Sequence, residues 1–213
     1  MADRFDMREY ELLVEAAQEG GYAFRRFDRE PEAGDLFLRH DVDLSLDAAL
    51  AMARLEAEMG VQATYLLMTR SVFYNLASSE GERALAELRS LGHAVGHHAV
   101  HPHVDLDDRF DRVLAWHNPD PAYMAAPVDG AANVMEPPWF DPAHYRSDSN
   151  QRWRHGSPRE GLARRDPPWL QLLVHPEIWV YPGETMRETM LAFLEADREA
   201  RLTHLAHDRI DLS

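Results

Sequence analysis

From residue 35 onward the chain switches repeatedly between two hydrophobic periods, and this alternation restricts the fold more than any other feature of the sequence. Residues 35–39, 61–68 and 93–98 read as buried strands, with helices expected at 46–59 and 80–91 between them. Leu46, Leu50, Ala53 and Ala57 share one face of the first helix, while Ala84, Leu88 and Leu91 share one face of the second. Gly60 and Gly92 stand where each helix should stop. Strand, helix, strand, helix, strand implies parallel pairing through crossovers, so all the strand carboxyl ends open on one side, where α/β folds bind their ligands. Further strands are expected at 112–117 and 170–175, a helix from 185 to about 200, and a covering helix at 7–18. The Pro-, Gly- and Asp-rich stretch 118–168 reads as a functional loop region. Nothing marks a domain boundary, and one α/β domain over residues 1–213 is expected.

Charge and missing residue types remove several function classes. Against 37 acidic residues stand 22 arginines and no lysine, a net charge of −15 that repels nucleic acid and anionic membrane surfaces. The absence of lysine excludes a Schiff base on the protein's own side chain, and the absence of cysteine excludes thiolate ligands and a cysteine nucleophile. No G-x-G-x-x-G, P-loop lysine, H-E-x-x-H or G-x-S-x-G occurs. The first twenty residues are charged throughout, and no window approaches the roughly 20 apolar residues of a membrane span. A cytoplasmic location is the expectation.

The strands finish in groups suited to chemistry. Leu36-Phe37-Leu38 runs into Arg39-His40-Asp41-Val42-Asp43. Two carboxylates two residues apart can divide the labour, one binding a metal and the other acting as a base held by neighbouring positive charge. The competing reading is a helix N-terminus in which Ser45 caps residues 46–59 and the aspartates favour the dipole. Six of the twelve histidines lie between His93 and His117. His97 with His101, and His98 with His101, have spacings that would let either pair hold one ion from a helical turn. An imidazole and carboxylate set with an open water position suits zinc, and also nickel, cobalt or iron. His175 ends the strongly apolar strand at 170–175 and could act as a general acid, whereas Arg146 and Asp148 have the alternative of a plain loop ion pair.

Four blocks together carry a family resemblance: Leu38-Arg39-His40-Asp41-Val42-Asp43; Gly92-His93-Ala94-Val95-Gly96-His97-His98; Ser147-Asp148-Ser149-Asn150 before Trp153; and Leu172-Leu173-Val174-His175-Pro176. The chain, over about residues 36–181, resembles the polysaccharide deacetylase (NodB-homology) superfamily, in the branch whose first motif is Arg-His-Asp-Val-Asp. The resemblance implies a distorted (β/α) barrel of about seven parallel strands. It implies Asp41 as base, Asp43, His98, His101 and His117 as metal ligands, Asp148 as a catalytic partner and His175 as catalytic acid. Trp153, Arg146 and His97 complete the set as substrate-contacting candidates. Three features depart from the family pattern: the aspartates are not adjacent, an arginine-proline motif is missing, and the segment after residue 98 is too short for a full helix.

The implied activity is metal-dependent hydrolysis of an amide, with N-deacetylation of an amino sugar or a sugar-containing small molecule foremost and zinc as the expected ion. The implied partner is a small-molecule or carbohydrate substrate, with no nucleic acid or membrane and the oligomeric state left open. Two alternatives stand beside it: a metal-free amidase of the same superfamily, and a catalytically silent member that binds a carbohydrate or a partner.

Overall fold

The computed structural model describes residues 3–100, 104–154 and 156–207. After α1 (Met7–Glu19), a two-residue strand β1 (Ala23–Phe24) precedes β2 (Asp35–Val42), α2 (Leu46–Glu58), β3 (Thr64–Leu67), α3 (Ser79–Ser90) and β4 (Ala94–Ala99). There follow β5 (Val113–Trp116), β6 (Ala132–Asn133), β7 (Tyr145–Ser147), α4 (Arg159–Arg164), β8 (Leu170–Val174), α5 (Pro176–Val180) and α6 (Met186–His207). Side-chain caps start the early helices: Ser45, the cap the sequence suggests, accepts from the Ala48 amide, and Asp6 and Ser78 do the same for Glu9 and Gly81.

Every named strand pair is parallel, and the continuous order is β6-β5-β4-β3-β2-β8-β7, with β1 beside the start of β2. This is the curled α/β sheet expected of a distorted barrel. All eight residues of β2 are buried, because the strand packs on both faces. Leu36, Leu38 and Val42 join Tyr10, Met52, Leu88 and Trp179 in the layer between sheet and helices. Phe37, on the opposite face, joins Leu66, Leu114 and Val134 inside the curl. Burying each such large side chain is worth about 1.5–3 kcal/mol, so a one-residue slip of β2 would cost several of these at once.

Strand alternation then decides what faces the interior. Arg39 and Asp41 follow Phe37 at steps of two, and Gln171 and Leu173 alternate with Leu170, Leu172 and Val174 of the helix-facing layer. In β4 the inner position before His98 is Gly96, where a Cβ would strike Val113 Cγ1 and lie 2.6 Å from the Val113 carbonyl oxygen. Only glycine lets β4 and β5 approach this closely. No helix lies between β4 and β5 among the described residues, as the shortness of that segment implies.

Candidate metal-binding and catalytic cleft

The carboxyl ends of β2, β4, β5 and β8 surround a cleft of about 410 Å³. Asp41 sits inside the sheet rather than in the following loop, because β2 continues to Val42. Its carboxylate accepts two charge-assisted hydrogen bonds from Arg39, Nε to Oδ1 at 2.7 Å and Nη2 to Oδ2 at 2.6 Å. Both side chains are buried, so each is the other's charge compensation. Burial pushes the Asp41 carboxyl up, but Arg39, with His98 and His175 nearby, holds it below the ordinary aspartate range.

Asp43 lies just past the strand. Its Oδ1 is 3.0 Å from His98 Nε2 and 3.1 Å from His117 Nδ1, and those two ring nitrogens are 3.2 Å apart. His98 comes from the inner face of β4, while His117 immediately follows β5. These three ligand atoms lie within 4.8 Å of one another, and Asp43 Oδ1 is buried without a well-formed hydrogen bond. Two imidazole nitrogens facing one carboxylate oxygen make an N2O donor set that a divalent cation fits, with further coordination positions left to solvent or substrate. Burial opposes the Asp43 charge, yet the adjoining His117 and His98 imidazoles hold its carboxyl well below the usual range.

Across the cleft, His175 follows β8 directly. Its Nδ1 lies 2.6 Å from Asp148 Oδ1, and Asp148 Oδ2 accepts from the His175 amide at 3.0 Å and from Trp179 Nε1 at 2.7 Å. A fully buried Asp148 held by three donors fixes the imidazole's orientation and leaves Nε2 for the cleft. Burial alone would depress the His175 pKa, but Asp148 and, more weakly, Glu177 and Asp43 push it up to about 10. His175 is therefore an imidazolium at neutral pH.

The remaining expected residues divide. Trp153 is in the wall, and it also packs against Phe5 with ring centroids 6.0 Å apart. Arg146 borders the cleft, but its guanidinium donates to the Ala143 and Tyr145 carbonyls at 3.3 and 2.8 Å. Asp148 pairs with His175, so the loop ion pair with Arg146 is not formed. His97 requires a correction as a substrate contact: strand alternation turns it away from His98, and it is buried against the Phe110 ring with centroids 4.8 Å apart. His101 lies outside the described residues.

The same geometry adds residues that the motif reading passed over. Trp116, Met135, Phe140 and Tyr145 line the cleft and add apolar surface to its polar lining. Tyr145 was detectable as the inward position two before Ser147; Met135 and Phe140 lie in irregular chain that carries no periodic signal.

Neither a protein-family model nor a curated protein matches the chain. Among solved structures, a peptidoglycan deacetylase from Bdellovibrio bacteriovorus aligns with 93% of this chain at 17% identity and a TM-score of 0.39. The chain spans about half that protein's length, 55%.

Proposed function

We propose that this protein is a metal-dependent hydrolase that removes an acyl group from an amide, with an N-acetylated amino sugar or a related small molecule as substrate. The observation that carries this reading is the meeting of Asp43, His98 and His117 around one point, with Asp41 and the Asp148-held His175 lining the same cleft. The four-block sequence resemblance supports the choice of amide over other acyl compounds. Zinc is the ion we assign, since two histidines and a carboxylate are a common zinc donor set. When bound, the cation supplies Lewis acidity, strengthening water as a nucleophile at neutral pH and polarising the acyl oxygen.

The protein's own residues manage the protons. Asp41 is kept ionised by Arg39 and accepts the proton released as water adds to the acyl carbon. His175 carries a proton at neutral pH and delivers it from Nε2 to the amide nitrogen as the carbon–nitrogen bond breaks. A carboxylic acid and a free amine result, and the two transferred protons leave Asp41 protonated and His175 neutral until solvent resets them. Trp153, Tyr145 and Phe140 offer apolar faces against which a sugar ring can lie. A cleft of about 410 Å³ is sized for one or two sugar units, which favours a small substrate over a long polymer. With a net charge of −15, nucleic acid is an improbable partner on electrostatic grounds. The small substrate also suits a cytoplasmic setting.

The test is metal analysis of the purified protein joined to an assay for acyl release from a panel of N-acetylated sugars. About one divalent ion per chain and acetate release that chelation abolishes are expected. Metal-free protein with full activity would point to the metal-free amidase, and no release from any amide would point to a binding protein.

A further inference from the structure

We propose that Gln171 is a positioning residue for this reaction: it fixes the Arg39 guanidinium, and through it Asp41, and ties that orientation to the loop that walls the cleft. The inference rests on the hydrolase reading above. Gln171 occupies an inner position of β8 and is fully buried, where an apolar side chain would pack as well without needing partners. Its three hydrogen bonds in the structure go to Arg39 and to two carbonyls of the segment 134–139. Its Oε1 accepts from Arg39 Nη1 at 3.1 Å. Its Nε2 donates to the Val134 carbonyl at 3.0 Å and the Trp139 carbonyl at 2.8 Å.

The Arg39 guanidinium is thereby held at three nitrogens, with Nε and Nη2 on the two Asp41 oxygens and Nη1 on Gln171. A planar guanidinium gripped at its far end cannot rotate about its own axis, so the plane of the Asp41 carboxylate is set as well. The other end of the relay lies in the segment that contributes Met135 and Phe140 to the cleft wall. One amide thus sets both the direction of the base and the position of a wall of the same cleft. The sequence offers a faint sign of this, since a single polar residue interrupts Leu170-Gln171-Leu172-Leu173-Val174.

Gln171→Met keeps the length of the side chain and removes every one of these bonds. With the N-acetylated sugar that the wild type turns over fastest, this variant should lose tenfold or more in kcat, with KM within about threefold and metal content unchanged. Arg39→Met should lose at least as much, and the double variant should be no slower than Arg39→Met alone, because the two act as one unit. In protein labelled with 15N-arginine, the Arg39 Nη1 group should show slow rotation in the wild type and fast rotation in Gln171→Met, while Nη2, on Asp41, changes little. If Gln171→Met does not fold, Gln171→Glu takes its place: it keeps the shape, loses the donor to both carbonyls and competes with Asp41 for Arg39, so kcat should again fall with KM little changed. A kcat within twofold of wild type in the folded variant, or a loss that simply adds to that of Arg39→Met, would overturn the proposal and leave the hydrolase reading intact. A wild type that hydrolyses no amide would overturn both.

Discussion

His98 and His117, nineteen residues apart in sequence, bring ring nitrogens to 3.2 Å of each other beside Asp43 Oδ1. No local spacing encodes this contact. It arises because β4 and β5 are neighbouring parallel strands and each delivers a histidine at or just past its carboxyl end. Removing any one of the three side chains should break the donor set. His98→Ala and Asp43→Ala are expected to lower zinc affinity by at least tenfold in calorimetric titration, and zinc should raise the melting temperature of the wild type more than that of either variant.

Asp41 separates proton transfer from metal binding. Asp41→Asn keeps the shape and removes the base, so kcat should fall by about a hundred- to ten-thousandfold while zinc content stays near one per chain. Because the variant leaves the buried Arg39 without its countercharge, its unfolding midpoint in urea should also fall. Near-normal turnover would reassign the base.

The Asp148–His175 pair predicts a pH dependence of definite sign. The folded His175 pKa is raised to about 10 from an ordinary 6.5, so its stabilising contribution is fully present below pH 6.5 and disappears as the pH rises through about 10. The difference in unfolding free energy between wild type and His175→Gln should therefore be largest near pH 6 and close between pH 6.5 and 10. Asp148→Asn should move the alkaline limb of the kcat profile to lower pH by more than one unit, since the main influence raising the imidazole pKa has gone. A limb that stays in place would mean that another group supplies the proton.

On the helix-facing side of β2, Glu56 is a fully buried carboxylate shared by His40 Nε2 at 2.6 Å, Tyr65 at 2.7 Å and Tyr10. Burial raises the Glu56 pKa, but His40, with His93 and Tyr10, outweighs it and the three together hold the carboxyl low. Glu56→Ala strands three polar groups at once and should cost about 3–5 kcal/mol in urea unfolding. Gln should be tolerated better than Ala because it retains shape and hydrogen bonding. Equal losses would show that packing, not the polar network, holds α2 to the sheet.

How much of this was legible in the sequence depended on the length over which a pattern repeats. The strands around Phe37, Leu66, His98, Leu114 and Leu172 lie in clear apolar blocks, and the cap at Ser45 with the glycines at 60 and 92 mark helix limits. β1 and β6 have two residues each and β7 has three, too short for any period to register. The five residues of α5 are hidden for the same reason, and α6 runs on to His207, beyond its expected end near residue 200.

At the site, sequence order brought Asp41, Asp43, His98, His117, Asp148 and His175 into view, while the choice between His97 and His98 stayed open. Helical spacing to His101 kept both alive. In the extended chain through Ala99 alternate residues face opposite sides, so His98 shares the inner face with Gly96 and His97 does not. Arg39 was legible as a neighbouring charge but not as the clamp on Asp41, because reading the strand as ending at residue 39 placed both aspartates in a loop. The strand continues to Val42, and the mutual pairing of Arg39 and Asp41 is what lets two charges stay inside it.

The most direct test of the account is anomalous diffraction from crystals of the zinc-loaded protein, collected on both sides of the zinc absorption edge. The account predicts one strong peak about 2.0–2.2 Å from Asp43 Oδ1, His98 Nε2 and His117 Nδ1. A peak bound by other residues, or none at this point in protein saturated with zinc, would contradict it.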